Sequence, residues 1–210
     1  MQDVKIKICG LKRPEDIVTV NRLMPDYIGF VFWEKSKRNV TPEIAAALKN
    51  DLDPRIIAVG VFVDAPVKEV SDLLNRGIID IAQLHGHEDE EYIRSLRELT
   101  EKPLIRAFQI RSEEQAETTL EEAKRSTADY VLIDSGMGSG KAFNWELLKD
   151  FPRKYFLAGG LDAENVRDAL EMTGASAVDV SSNVETDGRK DPEKIEEFIT
   201  AVRGTAVANQ

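Results

Sequence analysis

The sequence predicts an α/β protein folded as a single (β/α)8 barrel of the TIM type. Three observations point there. Short runs rich in Val, Ile and aromatic residues alternate eight times with amphipathic stretches, the pattern of a parallel sheet with crossover helices. No Gly/Ser/Pro-rich linker and no shift in composition divides the series. The length, 210 residues, lies near the lower end of about 200 residues for eight such units. One catalytic barrel domain is therefore expected over residues 1–203, with the aperiodic GTAVANQ of 204–210 as a frayed tail. A doubly wound open sheet is the alternative. A dinucleotide-binding sheet carries G-x-G-x-x-G after its first strand. Here that turn reads Cys9-Gly10-Leu11-Lys12, which weakens the alternative.

The strand-like runs, in order, are Val4–Ile8, Tyr27–Phe32, Ile56–Val63, Ile79–Leu84, Leu104–Phe108, Tyr130–Ile133, Tyr155–Ala158 and Ala177–Val180. Helical stripes lie between them: Ile17, Val20 and Leu23; Val67, Val70 and Leu73; Ile93, Leu96 and Leu99; and finally Ile195, Phe198, Ile199 and Val202. Thr41-Pro42-Glu43, Arg13-Pro14-Glu15-Asp16 and Asp191-Pro192-Glu193 read as helix starts, with a Pro in the first turn and an acid beside it. The acidic runs Glu88–Glu91 and Glu113–Glu122 read as solvated helix faces.

Composition excludes several classes. A net charge of −10 and a pI near 4.9 argue against nucleic-acid binding, which needs a basic face. No apolar run reaches the roughly 18 residues of a membrane span, and MQDVKIKICG has no signal-peptide apolar segment. A single cysteine forms no internal disulfide, so the cytoplasm is the expected compartment. One Cys with two His, at 85 and 87, does not make a zinc cluster, and no metal is expected.

Barrel enzymes place their chemistry where strands end. Side-chain alternation assigns each residue a direction. In the first strand, Lys7 and Cys9 face the interior, with Cys9 at the rim and Lys7 one layer below. The same parity turns Gln83 and His85, Arg106, Asp134, and Asp179 and Ser181 inward from the fourth, fifth, sixth and eighth strands. The seventh strand ends in Ala158-Gly159-Gly160 and the eighth in Ser181-Ser182-Asn183. Glycines let backbone N–H groups approach an anion and hydroxyls add donors, so this pair of loops reads as a phosphate site. Other readings stay open at this stage. Cys9 is also a small buried hydrophobe, and Asp134 also an N-cap or turn former. Arg38 sits in the basic cluster Lys35-Ser36-Lys37-Arg38, which reads equally as a solvated loop. Lys7, Arg106 and Asp179 read equally as a buried ion network.

From Lys5 to about Val202 the chain resembles the phosphoribosylanthranilate isomerase family of tryptophan biosynthesis. The resemblance is carried by KICGL at 7–11, GFVFWEKSKRNV at 29–40, VGVFVD at 59–64, QLHG at 83–86, LIDSGMGSGKAFNW at 132–145, LAGGLDAENV at 157–166 and VDVSSNVE at 178–185. It implies an Amadori rearrangement of N-(5-phosphoribosyl)anthranilate to an aminodeoxyribulose phosphate, without metal or organic cofactor. It also implies Cys9 as general base, Asp134 as general acid, and Arg38 as the contact to the anthranilate carboxylate. Gly159, Gly160, Ser181, Ser182 and Asn183 match the phosphate cradle, with Lys7, His85 and Asp179 in supporting places. The partner is a phosphorylated small molecule, bound by a monomer or homodimer. A dual-substrate isomerase also serving histidine biosynthesis, and a non-catalytic phosphate-metabolite binder on the same fold, are the other readings. Relatives of the first kind usually carry a carboxylate where this chain has Cys9, and a binder needs neither Cys9 nor Asp134.

Such a mechanism asks for opposite pKa shifts. A free thiol near 8.5 is only a few per cent thiolate at pH 7, and an ordinary Asp near 3.9 is about a tenth of a per cent protonated. Lys7 is expected to favour thiolate at Cys9, and burial to favour the neutral form of Asp134. Against the net negative charge, Lys7, Arg38 and Lys141 are expected to make the mouth positive. Ser135–Ala142, with three glycines, reads as a mobile lid. Two positions depart from the family pattern: Asn144 stands for a common Asp, and Asn183 for a common Gly.

Overall fold

In a computed structural model, which describes residues 4–134 and 144–204, eight parallel strands close into a barrel in the order of the sequence, with β1 returning to β8. The strands are β1 (Lys5–Cys9), β2 (Tyr27–Phe32), β3 (Ile57–Phe62), β4 (Ile81–Leu84), β5 (Leu104–Gln109), β6 (Tyr130–Asp134), β7 (Tyr155–Ala158) and β8 (Ala177–Val180). All eight coincide with the sequence-predicted runs, with ends displaced by two residues at most. The doubly wound alternative is thereby set aside.

Helices α1 (Pro14–Leu23), α2 (Pro42–Asn50), α3 (Val67–Asn75), α4 (Glu90–Arg97), α5 (Glu113–Arg125), α6 (Val166–Thr173) and α7 (Pro192–Arg203) surround the barrel. Thr41 caps α2 by accepting from Ile44 N, and Asp191 caps α7 by accepting from Glu193 N and Lys194 N. At α1 the cap position is Arg13, whose side chain makes no capping bond. Asp16 Oδ2 instead accepts from the backbone N–H of Lys12 and Arg13. The sixth unit differs from expectation. Among the described residues, a 3₁₀ turn at Trp145–Leu148 stands where an amphipathic helix was predicted. Asn144 caps it by accepting from Glu146 N, as an Asp would, and Pro152 prevents its extension. The expected lid at Ser135–Ala142, Lys141 within it, and residues 205–210 of the tail lie outside the described residues.

The parity of the strands separates two cores. Ile6, Ile8, Phe30, Phe62, Leu84 and Val180 pack outward beneath the helices. Val59, Ile81, Ile105, Leu132, Phe156 and Ala177 fill the barrel interior below the rim, and Cys9, Val31 and Val61 form a small cluster higher up. Arg106 corrects one expectation. Ile105 is interior, so the Arg106 side chain points outward, its guanidinium meeting Glu90 of α4 at 2.7 Å and lying over the Phe108 ring, although the residue still borders the cavity at the strand ends. Glu88 corrects another in part: it is buried and accepts from the backbone N–H of Asp64 and Gly86, whereas Asp89 and Glu91 of the same run are exposed as expected. Two further short strands, β9 (Glu185–Thr186) and β10 (Arg189–Lys190), form a hairpin in the loop after β8.

Candidate active site

The C-terminal ends of the strands surround a cavity of about 1020 Å³, lined by Cys9, Trp33, Gln83, His85, Asp134, Gly159, Gly160, Asp179, Ser181, Ser182 and Asn183 among others. Its lining thus includes all but two of the residues the sequence singled out for catalysis, phosphate binding and support. Lys7 lies beneath it and Arg38 beside it.

Cys9 is the last residue of β1 and is buried. Its neighbour in register on β2 is Gly29. A Cβ on Gly29 would lie 2.7 Å from Cys9 Sγ, so the glycine clears the space the thiol occupies. Below Cys9, Lys7 is fully buried, with its Nζ 2.8 Å from Asp179 Oδ2. Burial acts to lower the Lys7 pKa, but the facing Asp179 carboxylate and Cys9 together act to raise it and the net direction is upward, so Lys7 stays an ammonium. Burial pushes the Cys9 thiol up; Lys7 and Lys190 pull it down, Asp179 adds to the rise, and the net direction is upward. The expectation that Lys7 would leave Cys9 thiolate-rich is therefore corrected. The Lys7 charge is matched by Asp179, and desolvation of the sulfur prevails. For the same reason Lys7 does not make the mouth positive. Among the described residues, Lys35, Arg106 and Arg111 are the lysine and arginine residues that line the cavity.

Asp134 ends β6 across the barrel. His85, just past β4, reaches it: Nε2 stands 3.5 Å from Asp134 Oδ2. The other ring nitrogen, Nδ1, is 2.8 Å from Gln83 Nε2. With the amide donating to Nδ1, the imidazole proton sits on Nε2 and faces Asp134. Two buried acceptors on the cavity wall, Gln83 Oε1 and Asp179 Oδ1, have no hydrogen-bond partner among the described residues. His87, by contrast, is exposed and pairs with Asp64.

Arg38 does not stand free in solvent. Its Nε and Nη2 donate to the two Glu185 carboxylate oxygens at 2.7 and 2.8 Å. Its stem passes over Gly10, where φ is +86° and a Cβ would come within 2.3 Å of Arg38 Cδ. Glu185 also accepts from Lys190 Nζ at 2.7 Å. Glu185 and Lys190 are cross-strand partners in the β9–β10 hairpin. Sequence reasoning assigned no role to Gly29, Glu185 or Lys190. Only the hairpin register could have paired the last two, and two-residue strands leave no periodic signal.

The two loops proposed for phosphate are joined. Gly159 and Gly160 both have positive φ, at +98° and +69°. Asn183 Nδ2 donates to the carbonyls of Gly160 and Leu161 at 3.1 and 3.0 Å. Asn183 is not among the positive-φ residues, so its place in the loop needs no glycine. Ser181 Oγ donates to the Cys9 carbonyl at 3.1 Å, tying the loop after β8 to the end of β1.

Comparison with known proteins gives a consistent result. An N-(5'-phosphoribosyl)anthranilate isomerase from Thermoanaerobacter sp. (strain X514) is 44% identical over 204 residues, covering 96% of this chain and 98% of the relative. The crystal structure of phosphoribosyl anthranilate isomerase from Thermotoga maritima superposes with a TM-score of 0.85 at 36% identity, over 96% of this chain and 99% of that one. A crystal structure of phosphoribosyl anthranilate isomerase in complex with reduced 1-(o-carboxyphenylamino)-1-deoxyribulose 5-phosphate gives a TM-score of 0.83 at 35% identity, over the same shares. Residues 6–201 match the pattern of one family across almost the whole barrel, and the chain belongs to that family, N-(5'phosphoribosyl)anthranilate (PRA) isomerase.

Proposed function

We propose that this chain isomerises N-(5-phosphoribosyl)anthranilate to 1-(2-carboxyphenylamino)-1-deoxyribulose 5-phosphate, with Cys9 as base and Asp134 as acid. The observation that carries this reading is the placement of both groups, at the ends of β1 and β6, on one cavity that also has the Gly159–Gly160 and Ser181–Asn183 loops in its wall. Asp134 gives its proton to the furanose ring oxygen as the C1–O bond breaks, leaving an iminium. Cys9 thiolate removes the C2 proton, and the electron pair moves to form an enolamine. That enol becomes the 2-ketone as C1 gains a proton and O2 loses one. Neither step needs a redox partner. General acid and base groups each contribute about 10²–10⁴-fold in such proton transfers.

The remaining residues fit this chemistry. His85 directs its Nε2 at Asp134 and can stabilise, through its N–H, the carboxylate left when the acid gives up its proton. The two loops supply backbone N–H groups and hydroxyls for the phosphate. Arg38 offers a planar fork to the anthranilate carboxylate. We place the enzyme in the cytoplasm on the strength of its lone thiol; among the described residues no helix is long and apolar enough to cross a membrane.

The test is a fluorescence assay on substrate made in situ. Cys9→Ala and Asp134→Asn are each expected to lower kcat by about 10²-fold or more while the fold, read by circular dichroism, is kept. Activity untouched by both would overturn the assignment.

A further inference from the structure

We propose that Glu185 is the positioning residue for Arg38, holding one edge of its guanidinium so that the other edge meets the substrate carboxylate. This deepens the reading of Arg38 given above and rests on it. A guanidinium has two edges that can each grip a carboxylate in a bidentate way, one through Nε and one terminal nitrogen, the other through the two terminal nitrogens. Glu185 takes the Nε–Nη2 edge, at 2.7 and 2.8 Å. Nη1 has no acceptor among the described residues, so the terminal edge is open.

Burial shows which partner is fixed. The Glu185 side chain is 8% exposed and that of Arg38 is 28% exposed. The carboxylate is thus the anchored end and the guanidinium the end that meets solvent. Gly10 confines the stem from the opposite side, because the Arg38 methylenes lie where any other residue would carry its Cβ. Charge points the same way. Arg38 and Lys190 together carry two positive charges against the one of Glu185, so the cluster keeps a net positive charge after pairing and still attracts an anion. Lys190 also donates to the Ser181 carbonyl at 2.8 Å. The hold on Arg38 is thereby tied to the loop proposed for phosphate, and the hairpin sets the spacing between the two ends of the substrate.

The experiment compares two substrates: N-(5-phosphoribosyl)anthranilate, and the analogue made by condensing ribose 5-phosphate with aniline, which lacks the carboxylate. Glu185→Gln is expected to raise KM for the first about tenfold with kcat within about twofold, and to leave the kinetics of the second unchanged. Glu185→Asp, which keeps the charge, recovers part of the loss and carries the same comparison if the Gln variant folds poorly. A loss shared equally by both substrates marks Glu185 as merely structural and overturns the proposal, as does no loss on either. Arg38→Ala separates the layers. If it abolishes discrimination between the substrates while Glu185→Gln keeps it, the role of Glu185 alone fails. If Arg38→Ala itself keeps discrimination, the carboxylate assignment of Arg38 fails.

Discussion

Gly29 of β2 stands opposite Cys9 of β1, and a methyl group on it would lie 2.7 Å from the Cys9 sulfur. Gly29 is not among the positive-φ residues, so alanine fits its backbone. The conflict lies with the thiol and with Cys9 Cα, 3.1 Å away. A displacement of a reacting group by about 1 Å costs on the order of 10²-fold. Gly29→Ala is therefore expected to lower kcat by about that factor, with a stability loss of only about 1–2 kcal/mol from overpacking. In a Cys9→Ala background the same change should add nothing to the loss, since the group it displaces is gone. Wild-type kcat in the single variant would show that the sulfur tolerates the methyl.

The buried thiol sets the pH profile. Its pKa is raised above the ordinary thiol range of about 8.5–9. The base acts as thiolate, and the thiolate fraction grows with pH. Over the range in which Asp134 keeps its proton, kcat/KM should thus climb about tenfold per pH unit, with the bend from Cys9 only above that ordinary range. Cys9 is the only cysteine, so iodoacetamide has one thiol to modify. Its rate of modification should be slow at pH 7, follow the same midpoint, and fall when a reduced product analogue occupies the cavity. A midpoint below about 8 in both measurements would mean that Lys7 outweighs burial.

The barrel itself was legible in the sequence because its signals are periodic. Eight aliphatic runs and the parity within them placed Lys7, Cys9, His85, Asp134 and Asp179 on the interior, and each is buried beneath or lines the cavity. Arg106 shows where parity fails. Ile105 is interior, so the pattern in the fifth strand is displaced by one residue from the expected one, which turns every side chain to the other face. The direction of the Cys9 shift was not legible either. It depends on how much water reaches the sulfur and on whether Lys7 has a partner, and only the packing of β8 against β1 brings Asp179 to Lys7. Glu185, Lys190 and Asn183 act through loop-to-loop contacts that carry no period at all.

The pair Lys7–Asp179 invites a stability test. Both groups are almost fully buried. Removing one partner leaves the other charge uncompensated, which typically costs about 3–5 kcal/mol. Lys7→Met is expected to lower stability by that order in urea unfolding and to raise the kcat/KM midpoint further, because a cation that pulls Cys9 down is lost. Adding Asp179→Asn should return most of the stability, since no buried charge then remains. If the single and double variants unfold at the same urea concentration, the pair is not what the first substitution disrupts.

Asn183 bears on the phosphate end. Its Nδ2 donates to the carbonyls of Gly160 and Leu161, holding the loop after β8 against the loop after β7. Partly solvated neutral hydrogen bonds contribute about 0.5–1.5 kcal/mol each, and these lie at the low end. Asn183→Gly, which installs the family's common residue, should keep the fold and weaken inorganic phosphate binding only about three- to tenfold. Asn183→Asp should weaken it more. It keeps the side-chain shape, but it turns a donor into an acceptor facing two carbonyl oxygens and sets a negative charge where the phosphate is proposed to bind. Calorimetric titration with phosphate checks the order. Binding by the Asp variant at least as tight as by the Gly variant would show that the anion does not sit between these two loops, and the phosphate assignment of Gly159, Gly160, Ser181, Ser182 and Asn183 would fall with it.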